Sequence, residues 1–412
     1  MTNMRGAAVG FRRGLSAASA SAQGEKVGFV GLGAMGLRMA RHLLASGRDL
    51  VVFDSNSIAV DRILSEAAAA QAAAQAHGLT GPGSAGQRPG TAGRGGGAGQ
   101  GASAGSSGGG GGGGSARGYG SATAVTSPAE LAETPGVGVV FTMLPGPAIA
   151  RQVYLGQAGL LAPKAGIVPR VLVDCTTLDP VTARELAARV RATRVHAGLA
   201  GPRLAGLPAA NPTLLDAPVS GGVVGADKGT LSFLVGGEEA ALPTVEPLLK
   251  AMGTSVTWCG DAGDGQAARL CTSLVMASTM AATSEALALA RRLGVDPELM
   301  SRVLNTSSAA SWVSANYNPV PGLSPDAPAS KGYRGGLRSA QVQSHLQMAV
   351  AAAERCHSPV PMARQVLGMY TQVVEEGMGD QDFASVYRYV YGSGAESGEW
   401  KEGQTLFGAQ HP

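Results

Sequence analysis

Three glycines at fixed offsets constrain this chain more than any other feature. Val27-Gly-Phe-Val30 runs directly into Gly31-x-Gly33-x-x-Gly36, and an apolar pattern of helical period follows through Leu44. A second apolar stretch, Leu50 to Phe53, ends in Asp54, 21 residues beyond Gly33. Strand, glycine turn and helix in that order open a parallel βαβ unit. Gly31 permits the tight turn, Gly33 lets backbone approach a pyrophosphate, and Gly36 lets helix and strand pack closely. Leu32, Ala34 and Met35 complete the turn, and the helix N-terminus behind it favours an anion. Asp54 stands where an acid receives ribose hydroxyls. Ser55 beside it is no arginine, so NAD is expected over NADP. A turn of purely structural use is the alternative reading.

The rest of the chain continues the alternation, with interruptions. A helix over 57 to 76 gives way to a Gly, Ala and Ser segment, about 78–120, holding seven consecutive glycines at 108 to 114. Such a stretch has too little apolar surface to offset its ordering entropy and is expected to be disordered. A shorter insertion of Ala, Gly and Pro spans about 195–212. Between them Ser127-Pro-Ala-Glu130 reads as a capped helix start. Val137 to Leu144, Val171 to Thr177, Leu214 to Val219, Leu231 to Val235 and Ser255 to Cys259 read as strands, and Pro243 to Met252 as a helix. Residues 25–262 are thus expected to be a doubly wound, Rossmann-type α/β domain. From Gly263 the period is helical throughout, with one long helix from Gln266 to about Leu293, so 263–393 is expected to be all-α and 394–412 a tail.

Composition narrows the partners. Charged residues make up 15% of the 412, the net charge is +3, and no basic stripe interleaves with aromatics, which argues against nucleic acid. No uninterrupted apolar run reaches transmembrane length, so no membrane partner is expected. The four cysteines have neither metal-ligand spacing nor a CxxC pair and read as buried free thiols of a reducing compartment, with no metal site. Residues 1–24 carry Arg5, Arg12 and Arg13 and no acid, the composition of a mitochondrial transit peptide; a plain disordered N-terminus is the alternative.

Four stretches fall where strand ends of a doubly wound sheet converge. The first is the fingerprint. The second joins Met143-Leu144-Pro145 to Thr176-Thr177, at the height of a nicotinamide or its ribose; Leu144, Pro145 and Thr177 are the cofactor candidates. The third is Asp216-Ala-Pro-Val-Ser220-Gly221-Gly222, whose turn offers a hydroxyl and unobstructed N–H groups to a carboxylate. The fourth is Gly263-Asp-Gly-Gln-Ala-Ala-Arg269-Leu-Cys-Thr-Ser273. Arg269 and Ser273, four apart on the long helix, face the same way.

Together these stretches resemble the β-hydroxyacid dehydrogenases, in the branch acting on 3-hydroxyisobutyrate. The specific marks are Gly-Phe-Val-Gly-Leu-Gly-Ala-Met-Gly at 28–36 and Asp-Ala-Pro-Val-Ser-Gly-Gly-Val-Val-Gly-Ala at 216–226. Tyr317-Asn-Pro-Val-Pro-Gly322, followed by Tyr333-Arg-Gly-Gly336, separates this branch from glyoxylate reductases and 6-phosphogluconate dehydrogenases. The similarity spans about 26–65 and 121–392. It implies NAD-dependent oxidation of a small 3-hydroxy acid in valine catabolism, in the mitochondrial matrix, by a homodimer or homotetramer. It also implies that the Ser-Gly-Gly turn holds the substrate carboxylate.

The same resemblance assigns proton transfer to a lysine on the interdomain helix, positioned by an asparagine four residues on. Here those places hold Arg269 and Ser273. A second family lysine, beside the cofactor, corresponds to Ser344, followed by the titratable His345, and a cofactor-contacting asparagine corresponds to Ile149. Arginine keeps the charge but does not release its proton. Two readings stay open on the residues alone: a working, re-tuned or impaired dehydrogenase, and a silent relative that binds NAD and acts by association.

Overall fold

A computed structural model describes residues 26–76, 118–199 and 211–392. The expected transit peptide, the glycine-rich run up to 117, the middle of the second insertion and the tail lie outside the described residues. Nine strands form one sheet: β1 (Lys26–Val30), β2 (Leu50–Phe53), β3 (Ala122–Ala124), β4 (Val137–Thr142), β5 (Val171–Asp174), β6 (Thr213–Asp216), β7 (Val219–Ser220), β8 (Leu231–Gly236) and β9 (Gly253–Gly260). Six run parallel in the order β3-β2-β1-β4-β5-β6, so the strand order reverses between β1 and β4. Such a switch point leaves a crevice at the carboxyl ends of the strands. Beyond β6 the direction changes: β8 pairs antiparallel with β6 and β7, and parallel with β9.

Helices α1 (Gly36–Ala45), α2 (Ser57–Ala76), α3 (Pro128–Glu133), α4 (Pro147–Leu155), α5 (Pro180–Ala192), α6 (Gly222–Lys228) and α7 (Leu242–Met252) alternate with these strands. Neighbouring strand residues point to opposite faces, and both faces are buried. Phe29, Val52, Phe141, Val173 and Leu215 pack with α1 and α7, while Val30, Val51, Val140, Leu172 and Leu214 pack with α3, α4 and α5. Ser127 caps α3 as expected, accepting from Glu130 N–H at 3.1 Å.

Three expectations need correction. Leu214 to Val219 is not one strand, because Pro218 has no N–H to continue the ladder and β6 ends at Asp216. The first insertion does not reach 120: Tyr119 packs on the α1 side of the sheet, and Gly120 N–H donates to Leu44 O at 2.8 Å. And the cysteines are not all buried: Cys175 is, but Cys271 and Cys356 are exposed. One helix is long and apolar enough by composition to cross a membrane, although Arg269 and Glu285 interrupt it and half of its most apolar stretch is buried in the fold.

That helix is α8 (Asp264–Arg292), 29 residues long, and it opens an all-helical region with α9 (Pro297–Thr306), α10 (Trp312–Asn316), α11 (Ser339–Arg355), α12 (Pro361–Val373) and α13 (Val386–Tyr391). Ala277, Met280 and Ala281 of α8 pack against Val342 and Leu346 of α11 and Val366 and Tyr370 of α12. This apolar centre holds α8 across the end of the sheet.

Candidate active site

The strand ends, α8, α10 and α11 enclose a cleft of about 2450 Å³. At one end lies the glycine turn. Gly31 has φ +94°, and a side chain there would strike the Met143 carbonyl; a Cβ at Gly36 would strike the Gly31 carbonyl. Both glycines are therefore required by the fold itself. Gly33 differs: a Cβ there meets nothing within 4 Å, and the residue borders the cleft. Met35 precedes helix α1 and makes no side-chain cap. In the first turn the Leu37 and Arg38 N–H groups already donate to the Gly33 and Met35 carbonyls, both at 3.1 Å, so an incoming anion meets the positive end of the helix rather than a full set of free donors. Asp54 Oδ2 accepts from Leu32 N–H at 2.5 Å and Oδ1 from Asn56 N–H at 2.7 Å, which fixes the carboxylate beside the turn. Each oxygen keeps a lone pair for a ribose hydroxyl. This cradle fits a dinucleotide.

Along the same cleft stand Leu144, Pro145 and Thr177, then the Ser220-Gly221-Gly222 turn. Gly221 and Gly222 have φ of +126° and +60°, conformations that bring the turn round into α6. Arg38 Nε lies 3.2 Å from Asp227 Oδ1, and His42 Nε2 lies 3.0 Å from Ala226 O, so α6 is held against α1. These contacts set the turn beside the fingerprint helix.

Arg269 enters from α8. It is buried to 7% exposure and borders the cleft, and no carboxylate pairs with it among the described residues. Its Nη1 reaches Thr272 Oγ1 at 3.5 Å, and its Nε has no partner. Burial lowers its pKa to about 10, which leaves it cationic at neutral pH. A buried guanidinium with free donors calls for an anion. His345 of α11 borders the same cleft. Burial, helped by the Arg269 charge, pushes its pKa down to about 3, so its ring is neutral.

Three candidates fall elsewhere than expected. Leu32 is buried and serves through its N–H to Asp54 rather than by lining the cleft. Ser273 is 1% exposed and does not border the cleft, because its short side chain stays inside the protein where the long arginine reaches out. Ser344 is exposed and also outside the lining; α11 turns Val342, His345 and Leu346 inward instead. In the sequence His345 stands out only as the titratable neighbour of Ser344; the helical spacing of Val342, His345 and Leu346 is the signal that places it on the inward face. Thr272, Trp312 and Tyr317 border the cleft without having been singled out as candidates; Trp312 and Tyr317 stack at 5.0 Å.

Comparison with known proteins agrees with this architecture. A family profile described as the NAD binding domain of 6-phosphogluconate dehydrogenase matches residues 26–80 and 113–260. Another, described as NAD-binding of NADP-dependent 3-hydroxyisobutyrate dehydrogenase, matches 263–390. A probable mitochondrial 3-hydroxyisobutyrate dehydrogenase of Arabidopsis thaliana is 33% identical over 376 residues, 91% of this chain and 90% of its own. The 3-hydroxyisobutyrate dehydrogenase of Pseudomonas aeruginosa is 40% identical over 260 residues, 62% of this chain and 80% of its own. The solved structure of Mycobacterium tuberculosis 3-hydroxyisobutyrate dehydrogenase with L-serine superposes with a TM-score of 0.64 at 26% identity, covering 89% of this chain and 99% of that one. The chain belongs to the β-hydroxyacid dehydrogenase family of NAD-dependent oxidoreductases.

Proposed function

We propose that this chain oxidises 3-hydroxyisobutyrate, or a similar short 3-hydroxy acid, to the semialdehyde with NAD, as a step of valine catabolism in the mitochondrial matrix. The observation that carries the proposal is convergence: the glycine turn, Asp54, the Ser220-Gly221-Gly222 turn and Arg269 all border one cleft. The bound nicotinamide supplies the hydride acceptor. Gly31, Gly33 and Gly36 with Ala34 and Met35 receive the pyrophosphate, Asp54 the ribose, and Leu144, Pro145 and Thr177 border the nicotinamide end. The Ser220 hydroxyl and the N–H groups of Gly221 and Gly222 take the substrate carboxylate.

Arg269 acts on the reacting oxygen as a fixed cation. It stabilises an alkoxide but keeps its own proton at neutral pH, so the hydroxyl proton leaves through water. General acid–base assistance is worth on the order of 10² to 10⁴ in rate, and that factor is what an arginine here gives up. The same observation favours a second reading, a silent relative that binds NAD and acts by association. A division into domains at 262/263, a cleaved N-terminal segment and a homodimer or homotetramer are part of the proposal, supported by the family resemblance.

The test is reduction of NAD by the purified protein with 3-hydroxyisobutyrate and a series of short 3-hydroxy acids. Turnover that requires both the carboxylate and the 3-hydroxyl supports the proposal. NAD binding without turnover of any member selects the silent relative, and absence of NAD binding defeats both readings.

A further inference from the structure

Gln266 does not border the cleft, yet its side chain is fully buried and uses both ends of its amide. Its Oε1 accepts from Leu178 N–H at 2.9 Å, and its Nε2 donates to the Thr176 carbonyl at 2.7 Å. Its own backbone N–H donates to Asp216 Oδ2 at 2.9 Å, and Gly263 N–H donates to Asp216 Oδ1 at 2.7 Å. The first turn of α8 is thus clamped to the ends of β5 and β6. Glycines make the clamp possible: a Cβ at Gly236 or Gly265 would lie 2.8 Å from an Asp216 carboxylate oxygen. On its other side, Thr176 Oγ1 accepts from Leu144 N–H at 3.0 Å. A continuous path of hydrogen bonds therefore runs from the loop of Leu144 and Pro145, through Thr176 and Gln266, to the helix turn that carries Arg269.

We propose that Gln266 is a positioning residue that sets the Arg269 guanidinium against the Leu144-Pro145 and Thr176-Thr177 loops, with Asp216 as its second anchor. This rests on the reading of the cleft proposed above. The physical need is specific. Apolar packing along α8 is non-directional and tolerates sliding and rotation. Two opposed, directional amide bonds fix both the height and the rotation of the first turn. Arg269 lies three residues on, about 4.5 Å along the axis, so an error at Gln266 passes to it almost undiminished.

The test uses Gln266→Met, which keeps the length and leaves Leu178 N–H and the Thr176 carbonyl unpaired. Gln266→Glu is its companion; it keeps the acceptor and regains the donor only when protonated. Each is made in the full chain and in an Arg269→Met background. The readouts are the rate of NAD reduction and the Kd of 3-hydroxyisobutyrate in the presence of NADH, where turnover is blocked; the NADH Kd alone is the control. Gln266→Met is expected to worsen rate and hydroxy-acid Kd by about tenfold or more while NADH Kd stays within about threefold. In the Arg269→Met background the same change is expected to cost less than about twofold, because the partner it positions is gone. Gln266→Glu is expected to recover toward wild type as pH falls. Equal losses in both backgrounds, no loss, or an equal loss of NADH affinity overturns the proposal. If Gln266→Met does not fold, the pH recovery of Gln266→Glu decides, and its absence overturns the proposal. A wild type without turnover defeats the reaction reading alone, and the Kd cycle still decides this one.

Discussion

An alanine at Gly33 separates what the nucleotide requires of the turn from what the fold requires. A Cβ there meets nothing within 4 Å, and the residue is absent from the positions of positive φ, so the folded chain accepts the methyl group. The unfolded chain loses freedom, and Gly33→Ala is expected to stabilise the protein by about 0.4 to 1 kcal/mol. The open space in front of Gly33 is where backbone must approach a pyrophosphate, so the methyl group holds the ligand off. A loss of about tenfold to a hundredfold in NAD affinity follows, about 1.4 to 2.7 kcal/mol. Gly36→Ala is the counterpart: its Cβ would strike the Gly31 carbonyl, so it is expected to lower stability by about 1 to 3 kcal/mol through overpacking. Urea unfolding measures the first quantity and calorimetric titration with NAD the second. Unchanged NAD affinity in Gly33→Ala would refute the placement of the pyrophosphate, and a loss of stability would refute the account of the turn.

Two further outcomes are expected. Asp54→Ala should weaken NAD by about tenfold or more and erase its advantage over NADP, checked by titration with both, because the acid receives the ribose hydroxyls. Asp174 is fully buried with Oδ2 unpartnered, and burial raises its pKa to about 6 from 3.8. The folded state therefore holds this proton longer than the unfolded one: the group favours folding below about pH 4, and that favour is lost as pH rises through about 6, a swing of about 3 kcal/mol. Asp174→Asn keeps the acceptor for Thr142 Oγ1 and Thr176 N–H, so it should stabilise the protein at neutral pH and do little at about pH 4. Denaturant unfolding at the two pH values checks this; an equal effect at both would contradict it.

Much of the fold is readable in local signals. The turn at Gly31, the Ser127 cap and Asp296-Pro297 at the start of α9 each state their structure in a few residues. The reversal at β8 is not readable that way, because a strand's direction depends on which neighbour it meets across the sheet. The site follows the same division. Apart from Leu32, whose side chain turns into the core, the candidates fixed by backbone turns fall on the cleft, whereas those carried on helices depend on rotation and reach. Ser273 stays inside although it shares a stripe with Arg269, and α11 shows His345 rather than Ser344 to the cleft. The clamp of Asp216 and Gln266, 50 residues apart, has no local pattern at all.

The central claim, a working cleft whose reacting oxygen faces a fixed guanidinium, is tested most directly by the pH dependence of NAD reduction with 3-hydroxyisobutyrate. Burial lowers the Arg269 pKa only to about 10, so the wild-type rate should climb with pH from about 6 to about 9 without a neutral plateau. The pair Arg269→Lys with Ser273→Asn should raise the neutral rate by about 10² to 10⁴ and bring in a plateau as the lysine titrates. A wild-type plateau at neutral pH, or no gain from the paired substitution, would contradict the assignment of Arg269 to the reacting oxygen.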